Sequence, residues 1–94
     1  MVLYELWDNK KHMNIKRETI KYSEAEHLLE YIKNRTWLNI TNIQVFCPYT
    51  ENRVAIRTDG KCDIFMKFTL KQYRKITPLL VEMNNGEELE HRWY

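Results

Sequence analysis

Glycine, proline and cysteine are all scarce in this chain, with two of each among its 94 residues. Two isolated glycines, Gly60 and Gly86, do not make the glycine-rich loop that cradles a phosphate group. The chain also lacks any apolar run near the roughly 20 residues that a membrane-spanning helix needs. Its start carries two acids, Glu5 and Asp8, and no basic segment, which is unlike a secretory signal. We therefore expect a cytoplasmic protein that makes no contact with a membrane.

Cysteines and histidines are too few and too scattered to predict a metal centre. His12, His27 and His91 do not pair with one another or with a cysteine at the spacing of metal ligands. Cys47 and Cys62 are predicted on two strands that are not neighbours, so their Cα atoms should lie beyond the roughly 7 Å that a disulfide allows. We expect two reduced core thiols, no metal and no cofactor.

No catalytic pattern stands out either. No serine or cysteine has a base placed as in a known nucleophile motif. Asp8 with His12, or Asp59 with Asp63, could be read as an acid and a base, but aspartates at turns and a surface histidine explain the same residues. A chain this short also offers few places for a pocket that shifts pKa values. We predict that the protein is not an enzyme and has no catalytic residues.

Length and composition are those of an ordinary small globular protein. The mass is 11.6 kDa, with 44% hydrophobic and 30% charged residues. This length allows one hydrophobic core, so we expect residues 1–94 to form a single domain. The formal net charge of +2 is too small to indicate nucleic-acid binding by itself.

The central stretch, residues 40–68, predicts three antiparallel strands. Apolar and polar residues alternate with a period of two in the first two strands, so Val45 faces Val54 across a hairpin. For the second turn we predict a three-residue loop, Thr58 to Gly60, because a two-residue loop would mix charged and buried positions. That loop needs Gly60 in a left-handed conformation and sets Val54 opposite Ile64. The predicted inward rows are Ile43/Ile56/Cys62, Val45/Val54/Ile64 and Cys47/Asn52/Met66, and the outward rows are Phe46/Arg53/Phe65 and Gln44/Ala55/Asp63.

Two strands are predicted before this stretch, over residues 2–8 and about 12–22. A polar turn joins them. The first strand is apolar on both sides, so we expect both of its faces to be covered. A bulge near Arg17 would reconcile the apolar residues of the second strand.

The first helix is predicted to start at a capping box, Ser23 with Glu26, and to run to about Arg35. Trp37 is then expected to close the core. The predicted buried stripe consists of Ala25, Leu28, Leu29 and Ile32.

The second helix is predicted to start at the capping box of Thr69 and Gln72 and to stop at residues 84–86. Pro78 either kinks this helix or begins a new short helix capped by Thr77. Residues 87–94 form either a short strand or a docked extension. The predicted buried stripe consists of Leu70, Tyr73, Ile76 or Thr77, Leu80 and Val81.

These elements predict an α+β fold with the order β-β-α-β-β-β-α. We expect an antiparallel sheet of three to five strands with two helices packed on one face.

The outer face of this sheet carries the first candidate binding site. Aromatic rings that can stack on bases alternate there with cations that can neutralise phosphates, as in single-strand binding platforms. The same combination also suits a protein partner. Alternatively, the first strand, the tail or a second copy of the chain covers these rings. The candidate residues are Phe46, Arg53, Arg57, Lys61, Phe65 and Lys67.

A second candidate is an anion site at the start of the last helix. Lys71, Arg74 and Lys75 share one helix face, and Lys71 lies near the positive end of the helix dipole. A bound anion would relieve this repulsion. The acids among residues 87–90 could relieve it from inside the molecule, and a solvated surface explains the pattern as well.

The sequence thus favours a small non-catalytic binding module that acts through protein–protein contact, as a regulator, an inhibitor or a homodimer. The contact surface is the aromatic and basic sheet face. The alternative is a nucleic-acid-binding module that uses Phe46, Arg53 and Phe65 together with the basic start of the last helix.

Overall fold

In the part of the chain that the structure describes, six β-strands form one mixed sheet, and two α-helices pack against one of its faces. The structure is a computed structural model that describes residues 1–34, 39–47, 51–59 and 62–93, without the side chains of Cys47, Glu51 and Trp93. The strands are β1 (Val2–Asp8), β2 (Met13–Ile20), β3 (Ile40–Cys47), β4 (Glu51–Thr58), β5 (Cys62–Thr69) and β6 (Glu90–Trp93), and the helices are α1 (Tyr22–Lys33) and α2 (Leu70–Met83).

The strand order across the sheet is β2-β1-β5-β4-β3-β6. The α+β class and the order of the first seven elements are confirmed, but the antiparallel sheet of three to five strands was wrong in number and direction. The difference comes from the tail, which adds β6 parallel to β3 with Gln44 opposite Glu90. Parallel strands are joined by a long crossover and not by a short turn, so no local turn signal in the sequence predicts this pairing.

The core lies between the sheet and the two helices. Phe68, at the end of β5, is completely buried, and Leu29 of α1 and Leu80 of α2 belong to the same core cluster. The predicted stripe of α1 is confirmed, since Ala25, Leu29 and Ile32 are buried and Leu28 packs against them. In α2 the prediction was wrong for Leu70, which is 41% exposed, because the buried stripe is carried by Ile76, Leu80 and Met83, further along the helix.

Helix α2 has the ends that the sequence predicts. The Gln72 N–H donates to the Thr69 hydroxyl oxygen at 3.1 Å, and the Thr69 N–H donates to Gln72 Oε1 at 3.0 Å, which is a complete capping box. At the other end Asn85 and Gly86 both have positive φ, and their N–H groups return to the carbonyls of the last turn. The helix continues through Pro78, which excludes the alternative of a new short helix that begins at this residue.

Helix α1 starts earlier than predicted, and its capping box was wrong. The N-cap is Lys21, without a side-chain cap, and Ser23 is already inside the helix. The early start places Tyr22 edge-on against Phe68, with 6.5 Å between the ring centroids, so core packing decides the first turn. The helix ends at Lys33, and the predicted lid Trp37 lies outside the described residues.

The N-terminal hairpin is confirmed, and so is a bulge in its second strand near Arg17. Leu6 pairs with Lys16 and Trp7 with Asn14, so the extra residue is Ile15, two positions before Arg17. In the turn, Asp8 Oδ1 accepts the N–H groups of Lys10 at 2.8 Å and Lys11 at 3.0 Å. These bonds stabilise the charged form and lower the pKa of the Asp8 carboxyl.

The predicted register of β3 with β4 is confirmed, but that of β4 with β5 was wrong by two residues. Val54 lies opposite Met66, and Ile56 lies opposite Ile64. A shift of two keeps every side chain on its face, so burial alone does not separate the two registers. The observed register brings Asp63 next to Arg57. The predicted left-handed Gly60 lies outside the described residues.

Candidate functional site

The face of the sheet that points away from the helices, here called the open face, is not covered by either helix. Phe46 and Phe65 are half-buried there, as are Leu3 and Trp7 of β1. The expectation that the first strand or the tail covers these rings was wrong for the described part of the chain, because both elements lie within the sheet. For the same reason, no element of the described chain supplies the expected second cover over β1.

Three rows that cross the sheet contain the described candidate residues of the open face. The first, here called the cationic row, is Thr19, Leu3, Lys67, Arg53, Phe46 and Arg92. The middle row is Arg17, Glu5, Phe65, Ala55, Gln44 and Glu90. The third row is Trp7, Asp63, Arg57 and Asn42.

The predicted row Phe46/Arg53/Phe65 was therefore wrong in its last member. Arg53 faces Phe46 on one side, as predicted, and Lys67 on the other. Phe65 lies opposite Ala55, in the middle row. The five described candidate residues, Phe46, Arg53, Arg57, Phe65 and Lys67, all remain on one face, because the register error was an even number of residues.

The open face is concave, with a volume of about 640 Å³ above its floor. Its apolar lining comes from three strands, β1, β3 and β5. The charged side chains stand among and around these groups. The lining includes Leu3, Trp7, Phe46 and Phe65, with Glu5, Arg17, Arg53, Arg57 and Lys67.

Arg57 is held in a fixed position on this face. Its Nη1 lies 3.1 Å from Asp63 Oδ2, and its Nε donates to Gln44 Oε1 at 3.1 Å. Its guanidinium carbon lies 5.1 Å from the centre of the Phe65 ring, within the range of a cation–π contact. The Thr58 N–H donates to the other Asp63 oxygen at 3.0 Å. Hydrogen bonds therefore fix both members of the pair.

The same polar network reaches the edge strand β6 through Glu90. The Glu90 carboxylate accepts hydrogen bonds from the side-chain amides of Gln44 and Asn42, and Arg92 Nη2 lies 2.8 Å from its other oxygen. The hydrogen bond from Gln44, followed by that from Arg92, lowers the pKa of Glu90. Side-chain contacts thus connect β6 to β5 through Gln44 and Arg57.

Charge is distributed unevenly over the three rows. The middle row contains Glu5 and Glu90, and the third row contains Asp63, whereas the cationic row has three cations and no acid. Arg92 pairs with Glu90, but Arg53 is exposed and forms no hydrogen bond or ion pair within the described part of the chain. Arg53 lies directly opposite Lys67, so two cations are neighbours in the cationic row.

The second candidate site is not joined to the open face. Lys71, Arg74 and Lys75 are exposed on the first turns of α2, on the side of the sheet that the helices cover. Within the described chain, none of them forms an ion pair with the acids of residues 87–90. The predicted contact residue Lys61 lies outside the described residues.

Sequence reasoning missed the contribution of the N-terminal hairpin to the open face. Leu3, Glu5 and Trp7 of β1 and Arg17 of β2 all line it. The available signal was the two-sided apolarity of the first strand. It could not be placed, because β1 pairs with β5, a strand almost sixty residues away in the chain.

Among the described residues, no three His, Cys, Asp or Glu side chains are grouped so as to hold a metal ion, and neither helix is long and apolar enough to cross a membrane. Cys62 is a free, half-buried thiol. No protein-family model, curated protein or solved structure matches this chain.

Proposed function

We propose that this protein is a non-catalytic binding module whose open face docks a protein partner. The observation that supports this most is the concave, partly apolar floor formed by Leu3, Trp7, Phe46 and Phe65, with arginines among them. Trp and Arg are the side chains that most often dominate the binding energy of protein interfaces, and aromatic residues are enriched at their centres. Such a floor loses contact with water when a complementary surface docks on it.

The fixed position of Arg57 also favours a binding role. Ordering a long side chain at an interface costs about 0.5–1.5 kcal/mol when it is mobile in the free protein. Arg57 is already held by Asp63 and Gln44 and lies over Phe65. A partner that packs on Phe65 therefore meets a surface that needs little reordering.

The mixture of charges on the open face favours a protein over a nucleic acid. Asp63 engages Arg57, and Glu5 lies 3.9 Å from Arg17. These carboxylates reduce the positive potential that a chain of phosphates would require. A protein surface, which carries both signs of charge, matches such a face better.

Site-specific photo-crosslinking tests the proposal. A photoreactive phenylalanine analogue replaces Phe65, and in a control variant it replaces Tyr31, which is 52% exposed on α1. We expect a crosslinked protein partner, identified by mass spectrometry, from position 65 and not from position 31. Binding of that purified partner should weaken at least about tenfold in Phe65→Ala, the loss of a central aromatic anchor, and stay unchanged in Tyr31→Ala. Absence of a specific crosslink, or binding that ignores Phe65→Ala, would contradict the proposal.

A second copy of the chain is one such partner, and its presence is measured directly. Light scattering over a range of concentrations gives the mass in solution. A dimer that dissociates in Phe65→Ala would identify the open face as a homodimer interface. A monomer at all concentrations would leave a different protein as the partner.

Nucleic acid remains the second candidate function, favoured by the absence of acids from the cationic row. Fluorescence anisotropy with short single- and double-stranded oligonucleotides at two salt concentrations tests it, because phosphate binding weakens steeply as salt rises. No binding at low salt would exclude it. Salt-sensitive binding that is lost in Arg53→Ala would replace the protein proposal.

A further inference from the structure

We infer that the partner presents an acidic segment to the cationic row, with a carboxylate bound by Arg53. This inference rests on the proposed protein-binding function and adds the chemistry of the partner. Its basis is charge complementarity: the cationic row is the part of the open face where positive charge has no acid within the same row.

The position of Arg53 identifies it as the anchor for this carboxylate. Of the open-face arginines, Arg17, Arg57 and Arg92 each lie within 4 Å of a carboxylate oxygen, whereas Arg53 forms no ion pair among the described residues. It is exposed at the rim of the concave floor and directly opposite Lys67. A guanidinium can also hold a carboxylate through two parallel hydrogen bonds.

The neighbours of Arg53 predict what surrounds the carboxylate in the partner. Along the cationic row the order from β1 to β3 is Leu3, Lys67, Arg53 and Phe46, so apolar groups flank the two cations. Neighbouring strands lie about 4.8 Å apart, which spreads these four side chains over about 14 Å. The complementary segment therefore has acidic residues in its middle and apolar residues about one strand spacing to either side.

A short acidic protein segment fits this row better than a polynucleotide does. Glu5 and Glu90 lie in the middle row. This row is two residues along the strands from the cationic row, a distance of about 7 Å. A polynucleotide that stacked a base on Phe65 would carry phosphates past these carboxylates. A carboxylate confined to the cationic row would not meet them.

A random 12-residue peptide library, selected on the purified full chain, tests the inference. Peptides that bind are labelled and their affinities measured by fluorescence anisotropy. We expect selected peptides to combine Asp or Glu with apolar residues. Their affinity should fall at least about tenfold in Arg53→Glu, the loss of one charge-assisted contact. Arg74→Glu, the same charge reversal on the exposed surface of α2, should change it less than about threefold. Circular dichroism checks that both variants fold.

The possible outcomes separate this inference from the proposed function. Peptides without acids that lose binding in Phe65→Ala but not in Arg53→Glu would overturn the inference and leave the open face as a protein-binding surface. Equal losses in Arg53→Glu and Arg74→Glu would also overturn it, because they would show a general charge effect. Tighter binding of oligonucleotides than of any selected peptide would overturn both proposals.

Discussion

Arg57 on β4 and Asp63 on β5 form an ion pair, with 3.1 Å between Nη1 and Oδ2, across the two central strands of the open face. The Asp63 side chain is almost fully buried, and its second oxygen accepts the Thr58 N–H. A register shifted by two residues would leave the same apolar faces buried but would separate these groups. The ion pair therefore stabilises the observed alignment of β5 against the alternative.

The first prediction concerns the loss of this pair. Asp63→Asn removes the charge opposite Arg57 while keeping the shape of the side chain, so a half-buried guanidinium loses its counter-charge. We expect a decrease of about 1–3 kcal/mol in the free energy of unfolding. Urea denaturation followed by tryptophan fluorescence measures it.

Asp59→Asn is the matched control for this variant. Asp59 is exposed and accepts a hydrogen bond from Asn39 at 2.7 Å. Its substitution should change the free energy of unfolding by less than about 0.5 kcal/mol. If Asp63→Asn were as mild as this control, the pair would not explain the register.

The second prediction compares two residues that look alike in the sequence. Thr69 and Ser23 each precede an acid or amide by three positions, but Thr69 caps a helix and Ser23 lies inside one. Thr69→Ala should cost about 1 kcal/mol of stability through the lost cap. Ser23→Ala should be neutral or slightly stabilising, because alanine has the higher helix propensity. Thermal denaturation of the two variants measures the loss of stability in each. An equal loss would show that Ser23 also acts as a helix cap.

The third prediction concerns the centre of the core. Phe68 is fully buried at the point where β5 turns into α2 and packs against Tyr22. Phe68→Ala should cost about 3–5 kcal/mol through lost burial and the cavity that remains. That is a large part of the roughly 5–15 kcal/mol that stabilises a small domain. Leu70→Ala, two residues away and 41% exposed, should cost less than about 1 kcal/mol in the same urea titration. Similar costs would contradict the observed burial.

Local patterns predicted the elements of this fold well, and long-range pairing limited the rest. Thr69 with Gln72 marks the start of α2 because both partners of the cap lie within four residues. Val45 opposite Val54 follows from alternation on both sides of one short turn. The pairing of β1 with β5 and of β3 with β6 depends on which free edges remain after the hairpins have formed, and no short segment contains that information.

The candidate site was predicted to the correct face but not to the correct row. Alternation assigns Arg53, Phe65 and Lys67 to the outer face regardless of an even shift in register. Which of them are neighbours depends on the ion pair of Arg57 with Asp63, an interaction between side chains that periodicity does not reveal. In the observed register the neighbour of Arg53 on β5 is Lys67 and not Phe65, and this pairing forms the cationic row.

The last prediction concerns pH and the edge strand β6. The pKa of Glu90 is lowered by the hydrogen bond from Gln44 and by Arg92, so its charged form is favoured in the folded protein. A lowered pKa means that the stabilisation is present above the ordinary glutamate value, about 4.3, and is lost as the pH falls through the lowered one. We therefore expect Glu90→Gln to be less stable than the native chain at neutral pH, with the difference closing on acidification. Urea titrations at neutral pH and at a series of values down to about pH 3, below the ordinary glutamate value, measure how the difference changes. Glu87→Gln removes the same charge from the same tail without removing a contact of the network, so its difference should change less over this pH range. A gap for Glu90→Gln that stayed constant with pH would show that the carboxylate does not hold β6 to the sheet through its charge.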